Sequence, residues 1–323
     1  MTASADQIPS KGRLHRLLDA TLLRQEDATA LGLLRVALVC VFTLSMLTHV
    51  GAVAEYFSDA SMLSGSYAQR AFHSRWSIFF WFPSPLAVQC IFGLGVLAHI
   101  LWLLGLYTRI SSFVAFAVWA SMVGRNPLLY SMPDQFHTVL AFYLMLLPSG
   151  RGLSLDAKWR GKGRTVPVWC RRIMQLQLAV LYTGGGLLKD GPAWTESGTA
   201  IYYAAVNPYN RHFLASSFLA TIQPYVLRPL TYSVVVFEVG FAGFVVLHWL
   251  REATGFRRLP DLRRWFLGYG ILMHLGIQSL MYVAWFTPLT LLSYISFARP
   301  EEARGLLAKL RGWFRRGAKR EVT

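Results

Sequence analysis

The stretch Leu181-Tyr-Thr-Gly-Gly-Gly-Leu-Leu-Lys189-Asp-Gly-Pro-Ala-Trp194 closes an apolar run that begins near residue 167. The run is long enough for a helix that crosses a bilayer, and it ends on a lone ammonium group. A charge at the mouth of a membrane helix costs free energy unless it is paired, hydrated or used in a reaction. The stretch therefore predicts a membrane helix and makes Lys189 the first candidate for chemistry.

The rest of the chain repeats this apolar character. Its 323 residues are 54% hydrophobic and 15% charged, whereas soluble domains are about 25% charged. We therefore expect an all-α, polytopic transmembrane helical bundle over residues 30–298, between a basic N-terminal segment (1–29) and a basic tail (299–323). About eight spans are predicted, at 30–53, 84–107, 110–130, 134–149, 167–189, 227–250, 264–284 and 285–298.

The formal net charge of +16 is concentrated in alternate connecting segments of this arrangement. The loop after the fourth predicted span is counted as basic and includes Arg171 and Arg172, whereas the loop between the third and fourth spans has only Arg125. Because cytoplasmic loops retain Lys and Arg, the pattern predicts that both termini are cytoplasmic and that the protein is a multi-pass protein of an inner (plasma) membrane. Membrane lipids are then the expected partners of the basic segments. Nucleic acid is not expected, because no nucleic-acid-binding module is recognisable.

Metal and disulfide sites are not expected either. Cys40, Cys90 and Cys170 lie in or beside apolar segments and form no Cys-x-x-Cys pair. A His-Glu-x-x-His motif is also missing from the sequence.

A polar stripe runs along the fifth predicted span, because Gln175, Tyr182 and Lys189 recur every seven residues. On a helix this spacing places them on one face. The stripe has two interpretations: a hydrated pocket with Lys189 at its outer end, or a packing surface with a lysine that extends to the interface. The triple glycine at 184–186 suits both, since it permits a bend or a close helix approach.

Other polar residues within the spans extend the candidate site. Glu238 is either a proton carrier or counter-ion, or a structural partner for Arg35 or another polar group. His274 and Gln278 share a helix face, so they line the same cleft or form hydrogen bonds between helices. Trp194 completes the candidate pocket. Structural roles are expected for four further charged residues: Arg35, Arg109, Asp134 and Asp156.

Four short stretches, taken in their order and spacing, resemble the HTTM (horizontally transferred transmembrane) family, which includes the membrane part of vitamin K-dependent gamma-carboxylase. They are Leu31-Gly-Leu-Leu-Arg35-Val-Ala-Leu, Gly105-Leu-Tyr-Thr-Arg109-Ile-Ser-Ser, Leu140-Ala-Phe-Tyr-Leu through Ser154-Leu-Asp156, and Gly186-Leu-Leu-Lys189 with Trp194 and Gly198.

The resemblance implies that Lys189 is a base that deprotonates a reduced, vitamin K-like quinone. Burial supports this role, because it favours the neutral amine. The chain has Met132-Pro133 where the carboxylase has an Asn-His pair, and it shows no counterpart of the large luminal substrate domain. Quinol-dependent, carboxylase-like chemistry is therefore expected rather than carboxylation of a protein. The alternative is a non-enzymatic accessory or binding protein for a small hydrophobic ligand or a secreted peptide, acting in peptide export or maturation.

Overall fold

The computed structural model describes residues 18–72, 75–161, 165–210, 212, 214, 216–255, 258 and 261–320. These residues are mostly helical, as the sequence predicts, with one small antiparallel sheet. Residues 1–17 of the expected N-terminal segment, and 321–323 of the expected tail, lie outside the described residues.

Each of the eight predicted apolar segments contains a helix. These helices are α1 (Thr29–Leu47), α2 (Pro85–Leu104), α3 (Thr108–Arg125), α4 (Met132–Leu146), α5 (Trp169–Leu187), α6 (Arg228–Thr254), α7 (Arg263–Leu280) and α8 (Phe286–Ser293). The basic tail forms α9 (Pro300–Arg320), and a 3₁₀ turn, Tyr294–Phe297, follows α8. Shorter helices lie between them at Val53–Phe57, Gly65–Ala71, Leu155–Arg160, Pro192–Thr195, Ala200–Val206 and Ser216–Ile222.

Three helical stretches of the described chain are long and apolar enough to cross a bilayer: Thr29–Phe57, Pro85–Leu104 and Ser216–Thr254. By contrast, α4 has 15 residues, which reach about 22 Å of the roughly 30 Å hydrocarbon core. The short α8 has eight residues. The apolar helices are those of a membrane protein, while the count of eight crossings and the cytoplasmic position of both termini stay predictions.

Local polar contacts set the boundaries of α2. It begins with Pro85, directly after Ser84, whose hydroxyl accepts a hydrogen bond from the third residue of the helix. It ends at Leu104, and the next residue, Gly105, has a left-handed φ of 69°. A Cβ at this position would lie 2.3 Å from the Cβ of Ser154. Gly105 is therefore needed for the backbone conformation and for close packing against the segment after α4.

The antiparallel pair of α5 and α6 organises the second half of the protein. In successive contacts between the two helices, the residue numbers decrease along α5 and increase along α6. The contacts are Gly186 with Val239, Thr183 with Ala242, Gln175 with Trp249, and Arg172 with Glu252. The end of α5 thus faces the first half of α6, and the start of α5 faces the last turns of α6.

The start of α5 lies beside a small sheet of β1 (Gln25–Asp27) and β2 (Thr165–Pro167), paired in antiparallel register. Here Arg171 donates to Glu26 and Glu252, and Arg172 also donates to Glu252. The sequence suggested two loop charges, but both arginines are buried. Their carboxylate partners come from distant β1 and α6, so sequence spacing did not reveal the pairing.

Arg35 and Arg125 are likewise fully buried. Arg35 donates to the backbone carbonyls of Ser149 and Leu153, at 2.8 and 2.6 Å, so it holds the segment after α4 against α1. Among the open interpretations of Glu238, a partnership with Arg35 is wrong, because Glu238 pairs with Lys189. Arg125 was counted as a charge of a connecting loop and instead packs inside the protein.

Candidate functional site

Lys189 follows the end of α5 and is paired. Its Nζ lies 2.5 Å from Oε2 of Glu238 and donates to the carbonyl of Gly185 at 3.1 Å. The ring of Trp194 covers the ammonium group, with Nζ 5.1 Å from the ring centroid. The Lys189 side chain keeps one-fifth of its surface exposed, and the Glu238 side chain 14%. This Lys189 cluster, Lys189 with Glu238 and Trp194, is therefore shielded but reachable.

The glycines before Lys189 allow this pairing. A Cβ at Gly186 would lie 2.8 Å from the backbone nitrogen of Val239 and 2.9 Å from the Cβ of Glu238. Only glycine lets α5 and α6 approach this closely, and the approach brings Glu238 within reach of Lys189. Trp194 comes from the short helix Pro192–Thr195, whose proline occupies the first helical position.

A second polar cluster lies deeper in the bundle, around Tyr182. The hydroxyl of Tyr182 is 2.6 Å from Nε2 of His274 and 2.5 Å from the hydroxyl of Tyr294. All three residues are buried. A single phenolic proton cannot serve both partners, so the three groups form one hydrogen-bonded chain. Nδ1 of His274 is buried without a hydrogen-bond partner among the described residues.

Gln175, the third member of the predicted stripe, belongs to neither cluster. Its amide donates to the carbonyl of Ser296 at 2.6 Å and accepts from Nε1 of Trp249. Gln278 lies one turn beyond His274, and its amide oxygen is buried without a hydrogen-bond partner in the described part of the chain. The structure thus divides the stripe into three separately bonded positions along α5.

The remaining predicted charges lie at helix starts. Asp134 and Ser131 form a capping box at the beginning of α4. Asp156 accepts from the backbone nitrogens of Tyr107 and Thr108, at 3.0 and 2.8 Å, and so caps α3 from a distant segment. Arg109 lies exposed in the first turn of α3.

The sequence did not indicate the contacts of two further residues, Tyr294 and Arg125. Tyr294 lies in an apolar segment, and only its contact with Tyr182 distinguishes it. Arg125 donates from Nη2 to the carbonyls of Ser58 and Leu63, each at 2.8 Å, and so ties the segment after α1 to the end of α3. Neither contact follows a local spacing, because the partners lie more than 60 residues away.

The Lys189–Glu238 pair can exchange a proton. As ammonium and carboxylate, or as amine and carboxylic acid, the pair carries the same total charge. Loss of water around the pair favours the form with less separated charge. The arrangement is thus suited to hold, accept or release one proton near an apolar surface.

Comparison with known proteins points to one family. Curated proteins and solved structures give no significant match to the chain. The family model described as the HTTM domain matches residues 23–257, which is more than half of the chain. The matched range includes Arg35, Arg109, Lys189, Glu238 and the whole of α1 to α6. The protein belongs to the HTTM domain family.

Proposed function

We propose that the protein is a carboxylase-like membrane enzyme in which Lys189 acts as a base toward a weakly acidic, lipid-soluble hydroxyl compound of the reduced-quinone class. The observation that carries this proposal is the Lys189–Glu238 pair. Two ionisable groups lie 2.5 Å apart in a shielded position, and the adjacent Leu187 and Leu188 are highly exposed. A substrate dissolved in the bilayer can approach a base placed beside such an apolar surface.

The proton steps use residues of the chain alone. Transfer of the shared proton from Lys189 to Glu238 produces a neutral amine without changing the charge of the pair. The amine then takes a proton from the substrate hydroxyl onto Nζ. Glu238 is then a carboxylic acid, and the new ammonium group can donate to its carbonyl oxygen and to the carbonyl of Gly185, while the ring of Trp194 covers it. The pair has gained one positive charge, which balances the negative charge of the substrate anion.

The surroundings of Lys189 fit a flat, apolar ligand. Trp194 offers an aromatic face, and Leu187 and Leu188 offer aliphatic surface. A Cβ built on Gly184 would meet no atom within 4 Å, so there is open space on this side of α5. A reduced quinone bound there would supply an acidic ring hydroxyl and the reducing electrons. Lys189 would face its hydroxyl, and Trp194 would face its ring.

We propose that Tyr182 and His274, which lie deeper in the bundle, transfer protons to or from Lys189. Tyr182 lies on α5, seven residues before Lys189, which follows the end of the helix. Its hydroxyl connects α5 to His274 and Tyr294. In this proposal the protein crosses an inner membrane eight times, and the Lys189 cluster lies toward the outer face.

One observation favours the second candidate, a non-enzymatic accessory or small-molecule binding protein for peptide export or maturation. Lys189 is already fully engaged by Glu238, Gly185 and Trp194. In addition, two large cavities of the described residues, of about 640 and 570 Å³, lie near the start of α5 rather than near its end. A static ion pair of this kind can simply join two helices.

Quinol oxidation by the purified full chain in lipid nanodiscs distinguishes the two candidates. The informative variant is Lys189→Met/Glu238→Leu, which removes the base without leaving a buried charge unpaired. We expect its rate of quinol oxidation to be about 100-fold or more below that of the wild type. The matched control, Lys158→Ala, removes an exposed lysine near the start of α5 and should keep the wild-type rate. Equal rates in wild type and the double variant would refute the role of Lys189, and an inactive wild type would favour the accessory function.

A further inference from the structure

A cavity of about 640 Å³ lies where α3 begins and α4 ends, far from the Lys189 cluster. Its wall includes Arg109 and Ser112 of α3, Met145 of α4, Arg151, and Thr165 of β2. Because β2 directly precedes α5 and Lys189 follows the end of α5, about 28 Å of helix separates the two sites. The cavity, named here the Arg109–Arg151 pocket, therefore has no part in the proposed proton chemistry.

The charges of the pocket favour an anion. Within the described part of the chain, the guanidinium of Arg109 is exposed and has no hydrogen-bond or ion-pair partner. The guanidinium of Arg151 uses Nη1 to donate to the carbonyl of Thr165 at 3.0 Å, which fixes its position at the wall. The pocket also contains Asp156, whose carboxylate accepts from the backbone nitrogens at the start of α3 and from the Thr108 hydroxyl. Its negative charge offsets one of the two arginines, so the wall of the pocket keeps a net positive charge. Two arginines thus remain to bind a phosphate group.

The pocket continues into an apolar groove. On α3, Phe116 follows Ser112 by one helical turn and extends the same face, whereas Phe113 lines a separate apolar groove between α2 and α3. On α4, Phe142 precedes Met145 by one turn and approaches α3 from the other side, with its ring centroid 5.6 Å from that of Phe116. Phe142 is 41% exposed. A polar pocket with two arginines therefore opens directly onto exposed aromatic surface between two helices.

This continuity decides between the two sources of a phosphate group. A free phosphate ion would use the arginines and leave the groove uncovered. A phospholipid would use both, with its acyl chains over the groove. Tyr107 and Ile110, on either side of Arg109, are 59% and 67% exposed, which is typical of a helix end at the membrane interface. The short helix Leu155–Arg160, which carries Asp156 of the pocket wall, adds the exposed Lys158, and this positive charge favours anionic lipids over zwitterionic ones.

We propose that the Arg109–Arg151 pocket binds one anionic phospholipid, with its phosphate between Arg109 and Arg151 and its acyl chains along the groove of Phe116 and Phe142. The bound lipid would fill the space between α3 and α4 at the end of the bundle where β1 and β2 lie.

Native mass spectrometry of the full chain tests the proposal with three probes: phosphatidylglycerol, phosphatidylcholine and inorganic phosphate. We expect one phosphatidylglycerol to bind about tenfold or more tightly than phosphatidylcholine. A large excess of inorganic phosphate should not displace it. Equal affinity for the two lipids, or displacement by phosphate, would overturn the proposal, and displacement would indicate a free-anion site.

Substitutions in the Arg109–Arg151 pocket and its groove test where the lipid binds. Arg109→Gln/Arg151→Gln should weaken phosphatidylglycerol binding about tenfold or more, while Arg109→Lys/Arg151→Lys, which keeps both charges, should retain most of it. Arg70→Gln, on the exposed helix Gly65–Ala71, is the matched control and should change nothing. Phe116→Ser/Phe142→Ser leaves the arginines intact and should also weaken lipid binding. Unchanged lipid binding in the glutamine and serine variants would show that the lipid lies elsewhere.

Discussion

Removing one member of the Lys189–Glu238 pair should destabilise the protein more than removing both. Lys189→Met leaves the Glu238 carboxylate, 14% exposed, without its partner, and Glu238→Leu does the same to the ammonium group. Breaking a buried pair in this way costs about 3–5 kcal/mol. Because both side chains keep some contact with solvent, we discount this to about 2–3 kcal/mol for each single variant.

The double variant, Lys189→Met/Glu238→Leu, leaves no charge to desolvate. Its loss of stability should therefore be smaller than the sum of the two single losses, which gives a coupling energy of about 2 kcal/mol. The bond to Gly185 and the contact with Trp194 disappear in both lysine variants, so they cancel in the comparison.

The assay is the free energy of unfolding of the four proteins in bicelles, measured under reversible conditions. Lys158→Met, at an exposed lysine, serves as the control and should stay within about 0.5 kcal/mol of wild type. A coupling energy below about 0.5 kcal/mol would show that the two side chains do not stabilise each other. Lys189 and Glu238 would then not form a shielded pair.

Three further results are expected. Gly186→Leu should cost about 1–3 kcal/mol in the same assay, because a side chain there forces α5 and α6 apart; an unchanged stability would contradict that close approach. Tyr182→Phe should cost about 1–3 kcal/mol by leaving His274 without its partner, whereas Tyr203→Phe, at an exposed position, should be neutral. The Arg263 guanidinium lowers the pKa of Glu302 from 4.5 to about 2, so this contact should stabilise the docking of α9 above pH 4.5 and be lost as the pH falls toward 2. Hydrogen exchange of α9 measured against pH checks this, and detachment of α9 above pH 5 would contradict it.

Local sequence patterns predicted much of the helical framework. Apolar length located α1 to α8, and the seven-residue spacing placed Gln175 and Tyr182 on α5, with Lys189 directly after its end. Some helices end at a different residue from the one predicted. For example, the third segment was expected to reach residue 130, but α3 ends at Arg125, whose guanidinium folds back onto the segment after α1.

Partners distant in the chain were harder to predict. Glu238 was recognised as costly, but its partner was open until the contact of Gly186 with Val239 fixed the register of α5 and α6. Arg171 and Arg172 looked like loop charges because Glu26 and Glu252 are remote in sequence. Charge counting along a chain cannot separate such buried pairs from solvated ones, since burial depends on tertiary packing.

A structure of the full chain in lipid with a non-oxidisable reduced-quinone analogue will show whether Lys189 meets a lipid-soluble hydroxyl compound. We expect density beside Trp194 and Leu187, with a ring oxygen about 2.6–3.2 Å from Nζ of Lys189. An analogue bound elsewhere, or saturating analogue with no density at Lys189 and an undisturbed Lys189–Glu238 contact, would contradict it.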